Sequence, residues 1–238
     1  MKQLFTLVAA IAAIAPAGWA ASLCAPGTLA SYVALGSGGC NIGTDTFSNF
    51  QTLSGITGAL AIAPASIALT PSGDSATPLL TFNTTAQTSA ILEAIFTYRL
   101  SGASVTGSTI ALSNTSASGG GVVTHIQNLC GAGTFGMDGV SNCTGNTFGP
   151  LVAVSSGSDQ TTFAGVPFLN ITDDFTVDGA SGGSASGGTF ADRFTAVSTS
   201  AVPEPGTIFI TSLGAALLVT LKLRSANKKA PPAIKEIL

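Results

Sequence analysis

The 238-residue sequence has little charge and few of the side chains that catalysis usually requires. Only 8% of its residues are Asp, Glu, Lys or Arg, and it has one histidine, His125. A typical globular protein is about one quarter charged. Disordered chains combine low hydrophobicity with high charge, whereas 45% of this chain is hydrophobic and 13 residues are Phe. The composition therefore predicts a folded protein and argues against a cytosolic enzyme.

The N-terminus is organised like a secretory signal peptide. Lys2 precedes an apolar run from Leu4 to Ala15, which Pro16 interrupts, and small residues follow. The run is long enough for the central region of a signal peptide and too short to span a bilayer as a helix. Residues 1–20 are therefore predicted to be a signal peptide that is cleaved after Ala20. An N-terminal anchor that stays uncut is the alternative.

The C-terminal region combines a proline motif, an apolar helix and a basic tail. A linker at 198–207 carries Val202, Pro203, Glu204, Pro205 and Gly206; a membrane helix is predicted at 208–221; and the tail at 222–238 carries Lys222, Arg224, Lys228 and Lys229. Two prolines keep the motif extended, so that an enzyme could bind it as a strand. The helix rises only about 21 Å, but snorkelling of Lys222 and local thinning allow it to span. The basic residues predict a cytoplasmic C-terminus and an exported domain.

These three parts, over residues 201–229, resemble the PEP-CTERM sorting signal of bacteria with a Gram-negative envelope. The resemblance implies an exosortase as processing partner, an inner-membrane precursor with a periplasmic domain, and a product at the cell surface or secreted. An ordinary C-terminal anchor behind a proline linker is the alternative. Residues 24–50 likewise resemble the start of a group of PEP-CTERM proteins, and this likeness implies no activity. Phe47 and Phe50 in that stretch are predicted core residues.

The exported part, residues 21–200, is strongly acidic. It keeps two basic residues, Arg99 and Arg193, and nine acidic ones, which gives a net charge of −7. Such a domain is repelled by polyanions, so neither nucleic acid nor an anionic membrane surface is expected as its partner.

Four cysteines lie in the exported part, at Cys24, Cys40, Cys130 and Cys143. An even number of cysteines in an oxidising compartment predicts disulfides, with three possible connectivities. Proximity in the sequence favours Cys24 with Cys40 and Cys130 with Cys143. A zinc site would require closer cysteine pairs or several histidines, so we predict no metal and no cofactor.

Residues 21–197 are predicted to form an all-β domain, an antiparallel β-sandwich or a jelly-roll-like fold. Short segments rich in Val, Ile, Phe and Thr alternate with Gly, Ser, Asn and Asp. The predicted strands include 66–70, 121–127, 151–155, 166–172 and 189–197. Residues 90–100 also fit a helix face, but their β-branched and aromatic content favours a strand. The Gly/Ser-rich stretches 116–121 and 179–188 are predicted hairpin loops.

Several local motifs suggest chemistry without the structural context that it requires. Residues 131–136 match GxGxxG and residues 179–183 match GxSxG, yet neither is followed by a predicted helix. His125 is predicted on the solvent face of a strand, among polar neighbours. Asp173, Asp174 and Asp178 are predicted to cluster on β loops. Such a cluster either binds calcium or consists of ordinary acidic turn residues, and the sequence leaves both alternatives.

No catalytic residue is predicted, and the chain is therefore expected to be a structural or interaction protein rather than an enzyme. Its expected place is the cell surface or the exopolysaccharide matrix, with exopolysaccharide as a candidate partner. A secreted carbohydrate-binding module is the alternative. That alternative predicts a row of exposed aromatic side chains, whereas the mature chain has two tyrosines, Tyr32 and Tyr98, and no tryptophan.

Overall fold

The computed structural model describes residues 22–197, except for 56–57, 137 and 181. The predicted signal peptide, sorting motif, membrane helix and basic tail lie outside the described residues, and their assignment stays a prediction. Among the residues that are described, no helix is long and apolar enough to cross a membrane.

The described part is built almost entirely of β-strands, with a five-residue helix, α1 (Leu29–Val33), and one 3₁₀ turn at Pro64–Ser66. The strands are β1 (Ser22–Leu23), β2 (Gly27–Thr28), β3 (Cys40–Ile42), β4 (Asp45–Leu53), β5 (Leu60–Ala61), β6 (Ala68–Ser72), β7 (Leu79–Asn83), β8 (Gln87–Thr88), β9 (Ile91–Ser113), β10 (Ser116–Ser118), β11 (Val122–Gly131), β12 (Asn146–Val154), β13 (Ser158–Asp178), β14 (Ser184–Ser186) and β15 (Thr189–Val197).

Alternation of buried and half-buried side chains explains why the ambiguous segment at 90–100 is a strand. Phe96, Tyr98 and Leu100 are buried on one face of β9, while Thr97 and Arg99 are half-buried on the other. Successive side chains of a strand point to opposite faces, so this period of two fits β geometry and not a helix. The strand prediction for this segment is confirmed.

The long strand β9 connects two layers of sheet. One of its edges pairs with β13 from Ile91 to Ala111. Its other edge pairs with β5 at Leu92 and Glu93, next with β4, up to Ser101, and then with β15, from Ser104 onwards. Gly102 lies at this change of partner with a φ of +130°, a conformation that favours glycine. One half of β9 therefore extends a layer through β4, and the other half extends a second layer through β15, β7 and β6.

Aromatic side chains from the two layers meet in the core. Phe175 of β13 stacks on Phe190 of β15 with ring centroids 4.4 Å apart. Phe47 of β4 lies 6.1 Å from Phe194 of β15. The predicted all-β sandwich is confirmed by this packing, as is the core position of Phe47 and Phe50. Two short parallel pairings, β1 with β3 and β5 with β9, depart from the antiparallel pattern.

The prediction that both Gly/Ser-rich stretches are plain loops is wrong. Each contains a three-residue strand, β10 and β14, and these pair antiparallel with one another and with β8 to form a small second sheet. Segments this short and this rich in Ser and Ala carry no periodic signal, because the tertiary pairing decides their conformation.

The prediction of two disulfides is confirmed, in the pairing that sequence proximity favours. Cys24 bonds to Cys40 with Cα atoms 4.8 Å apart, and Cys130 bonds to Cys143 with Cα atoms 5.6 Å apart. The first bond fastens the segment after β1 to β3. The second closes the loop that joins β11 to β12.

Candidate functional site

Six polar side chains meet in the interior between the two layers, and we call them the interior polar cluster. Each is at most 2% exposed. They are Tyr98 and Ser108 on β9, His125 and Gln127 on β11, Asp173 on β13 and Asp192 on β15. The side chain of Phe190 closes one side of the cluster, with its ring centroid 4.9 Å from that of His125.

The imidazole of His125 stands between two carboxyl groups. Its Nε2 lies 3.1 Å from Asp173 Oδ1 and 3.6 Å from Asp192 Oδ1. The hydroxyl of Tyr98 donates to the other oxygen of Asp192, Oδ2, at 2.7 Å. His125, Asp173 and Asp192 come from strands of different layers, so their polar contacts link the two layers.

A short chain of hydrogen bonds leads away from Asp173. The amide of Gln127 donates to Asp173 Oδ1 at 3.2 Å. The hydroxyl of Ser108 donates to Gln127 Oε1 at 2.6 Å. This pair fixes the orientation of the Gln127 amide, so that its nitrogen faces the carboxyl group.

Three buried atoms of the cluster have no hydrogen-bond partner among the described residues. They are Asp173 Oδ2, Asp192 Oδ1 and His125 Nδ1. Leaving such an atom unpaired costs about 1–3 kcal/mol, and more for a charged group. With both carboxyl groups ionised, the cluster is therefore poorly satisfied by its own side chains, whereas a proton on one of them lets Asp173 and Asp192 hydrogen-bond to each other.

Burial shifts the protonation of every group in the cluster that titrates. It raises the pKa of Asp173 to about 7. It raises the pKa of Asp192 well above the usual range, and the charge of Asp173 adds to this shift. It lowers the pKa of His125, although the nearby Asp192 opposes the change. Without a cation, the carboxyl groups thus resist losing their protons and the imidazole resists gaining one.

The prediction that His125 lies on the solvent face is wrong, because the residue is 0% exposed. The alternation along β11 is correct, but the row with Val123, His125 and Gln127 is the buried one. The sequence of β15 does carry a signal of this burial, because Asp192 falls in phase with Phe190 and Phe194. A carboxyl group in phase with core aromatics indicates a buried polar partner.

The predicted loop cluster of Asp173, Asp174 and Asp178 is also wrong, since all three lie within β13. Adjacent residues of a strand face opposite sides, so Asp173 points into the core and Asp174 does not. Asp174 is half-buried and accepts a hydrogen bond from Thr176 at 3.0 Å. The three carboxyl groups therefore do not converge on one calcium site.

An outer pocket of about 390 Å³ lies between the sheet and the loop that joins β11 to β12, and we call it the loop pocket. Its polar lining includes Asn49 and Gln51 of β4, Thr97 of β9 and Asn170 of β13, with Phe135 on the loop side. Asn49 has a φ of +57° at an irregularity in the β4–β9 register, and such bulges redirect side chains.

The loop over this pocket is held at both ends and along its length. The Cys130–Cys143 bond closes it. The side chains of Asn170 and Thr172 on β13 donate hydrogen bonds to its carbonyl groups at Gly133 and Gly139. A side chain at Gly133 would overlap the backbone of Gly145, which explains a glycine of the GxGxxG match by close packing. No helix follows that match in the described residues, so it does not form a dinucleotide site.

No protein-family model matches the chain, and no curated protein is similar to it in sequence. One solved structure that it resembles is described as TmCBM61 in complex with beta-1,4-galactotriose. The two chains are 12% identical, and the alignment covers 55% of this chain and 88% of the other with a TM-score of 0.25. A score this low assigns no ligand.

Proposed function

We propose that this chain is the precursor of an exported, non-catalytic surface protein, sorted and cleaved by an exosortase at its PEP-CTERM tail. The observation that carries the proposal is the pair of disulfides closed within the domain that lies between the two predicted targeting segments. Disulfides persist in oxidising compartments and are rare in the cytosol. The acidic, lysine-free composition of the exported part is consistent with that location.

The position of the single histidine supports a non-catalytic role. A general base has to come within hydrogen-bond reach of the proton that it removes from a substrate. His125 is 0% exposed and lies behind Phe190 in the core. It therefore serves the interior of the domain rather than a bound substrate.

The sorting proposal is tested by the substitution Glu204→Ala, since the motif glutamate has no part in the apolar helix. The precursor is expected to accumulate in the inner membrane with both disulfides formed, because the helix supplies the transfer free energy. Glu236→Ala is the matched control, because it removes the other glutamate of the C-terminal region, behind the basic cluster. The control should be processed normally. If Glu204→Ala reaches the surface at the normal rate and mass, no exosortase acts there.

A second candidate function is glycan binding in the loop pocket, as in the carbohydrate-binding alternative. The pocket brings the amide side chains of Asn49, Gln51 and Asn170 to one open cavity beside the ring of Phe135. An amide donates and accepts hydrogen bonds, as sugar hydroxyl groups do, and a ring offers an apolar face to the sugar. Ligand sites in general combine an apolar wall with a few placed polar groups.

The test of glycan binding is an array probed with the processed protein from the cell surface. Any glycan that binds should bind about two- to tenfold more weakly to Gln51→Ala, which corresponds to one lost hydrogen bond. Gln160→Ala, an exposed position on β13, is the control and should bind normally. An array without any specific glycan rejects this second function and leaves the sorting proposal intact.

A further inference from the structure

We propose that His125, Asp173 and Asp192 bind a divalent transition-metal ion, Zn²⁺, as a structural centre that joins the two layers of the sandwich. Each residue comes from a different strand, β11, β13 and β15. One ligand atom from each lies within 4.8 Å of the other two. All three side chains are completely buried.

The distances fit a common ion. Zinc lies about 2.0–2.2 Å from nitrogen and carboxylate oxygen ligands, so that two ligands at a tetrahedral angle stand about 3.4 Å apart. The His125 Nε2 atom is 3.1 Å from Asp173 Oδ1 and 3.6 Å from Asp192 Oδ1, on either side of that value. Two of the three donor pairs are thus spaced as in a zinc site, and the two carboxylate oxygens lie within 4.8 Å of one another.

The two buried carboxyl groups also suit a cation, because they can ionise in the interior only beside a positive charge. Two carboxyl groups are buried here, and burying an uncompensated carboxylate is costly. The described part has two arginines, and neither compensates them: Arg99 lies over the Phe168 ring at 3.8 Å, and Arg193 is exposed. A divalent ion would neutralise both carboxylates.

The unpaired atoms of the cluster support the same site. A bound ion would give a partner to Asp192 Oδ1 and, with Asp173 bound through both oxygens, to Asp173 Oδ2. This also supplies the fourth donor that a closed structural zinc site has. The Tyr98 hydroxyl then bonds to Asp192 Oδ2 and the Gln127 amide to Asp173 Oδ1, as outer hydrogen bonds do in metal centres. His125 Nδ1 has no hydrogen-bond partner in the described residues with or without the ion.

The donor set selects among divalent ions. Calcium takes six to eight oxygen ligands, and magnesium keeps several waters, neither of which suits a dry site with an imidazole. Mixed imidazole and carboxylate ligands in a closed site favour zinc. All four cysteines of the chain are in disulfides, so thiolates do not compete for the ion.

The experiment uses the processed protein from the cell surface, purified without a metal-affinity step. Elemental analysis should find about one zinc per chain. A zinc chelator should lower the thermal midpoint of unfolding. Zinc returned at about 100 times its dissociation constant should raise the midpoint of the stripped protein by roughly 5–10 °C.

Two variants locate the ion. Asp192→Asn should lose the zinc and the midpoint response. Asp174→Asn is the matched control, because it removes the neighbouring carboxylate of β13 on the other face, and it should keep both. If Asp192→Asn does not fold, the chelation and return of zinc on the unaltered chain decide. Absence of stoichiometric metal with no midpoint response to zinc, or full zinc content in Asp192→Asn, would overturn the proposal.

Discussion

Replacing Tyr98 by Phe isolates the contribution of one hydrogen bond to the interior polar cluster. The change removes only the hydroxyl that donates to Asp192 Oδ2 at 2.7 Å. The ring keeps its packing, including the stack on Phe50 with centroids 5.0 Å apart. Since a buried carboxyl oxygen is left without its donor, we expect the free energy of unfolding to fall by about 1–3 kcal/mol.

Tyr32→Phe provides a matched control for that measurement. The Tyr32 hydroxyl donates to a neutral backbone carbonyl, that of Ala25, at 2.9 Å in a partly buried site. Its removal should cost only about 0.5–1.5 kcal/mol. Urea unfolding of both variants with the disulfides intact gives the two values, with the urea dependence unchanged.

A double-mutant cycle then tests whether the loss of stability in Tyr98→Phe comes from the hydrogen bond between Tyr98 and Asp192. Tyr98→Phe combined with Asp192→Asn should be less destabilising than the sum of the single changes, by about 0.5–3 kcal/mol. If Tyr98→Phe costs no more than Tyr32→Phe, or if the two changes are additive, the hydroxyl does not support the carboxyl group and the account of the cluster is wrong.

Three further predictions concern one disulfide bond and two buried aromatic residues. Replacing Cys130 and Cys143 by Ser opens a loop of 13-residue separation and should lower the free energy of unfolding by about 3 kcal/mol in urea, whereas unchanged stability would show the bond to be dispensable. Phe190→Ala removes a ring that contacts three others and His125, so calorimetry should show a loss of about 3–5 kcal/mol, and a loss below about 1 kcal/mol would contradict the packing. Burial raises the pKa of Tyr32 to about 12, so the folded state keeps this proton after the unfolded state releases it near pH 10. Stability should therefore fall as the pH rises from about 10 towards 12, and a tyrosinate absorbance already complete at about pH 11 in folded protein would refute the shift.

Much of the sheet could be predicted because side chains of different character alternate along its strands with a period of two residues. The segment 189–197 is predicted and observed with the same bounds, since Phe190 and Phe194 alternate with polar residues and Gly/Ser-rich sequence precedes them. Within 90–100, the alternation of Phe96, Tyr98 and Leu100 distinguishes strand from helix. These signals are local, so one sequence suffices to detect them.

The interior polar cluster could not be predicted in the same way. His125 and Asp173 are 48 residues apart, and nothing within β11 shows that its polar row faces a carboxyl group of β13. Polar residues usually indicate the solvent face, and that rule fails where polar partners from other strands face them in the interior. The loop pocket likewise depends on a loop that crosses β4, β9 and β13, a placement set by tertiary contacts.

The two ends of the described domain resist a pulling force by different means. At the N-terminal end β1 is a two-residue edge strand, and the Cys24–Cys40 bond transfers tension directly to β3. At the C-terminal end β15 is a central strand with β9 on one side and β7 on the other. Tension applied through residues beyond Val197 is therefore shared by two backbone ladders in shear, and because β9 runs through both layers, the load spreads into the whole sandwich. A domain tethered by its C-terminus would thus withstand hydrodynamic drag without a covalent bond at that end.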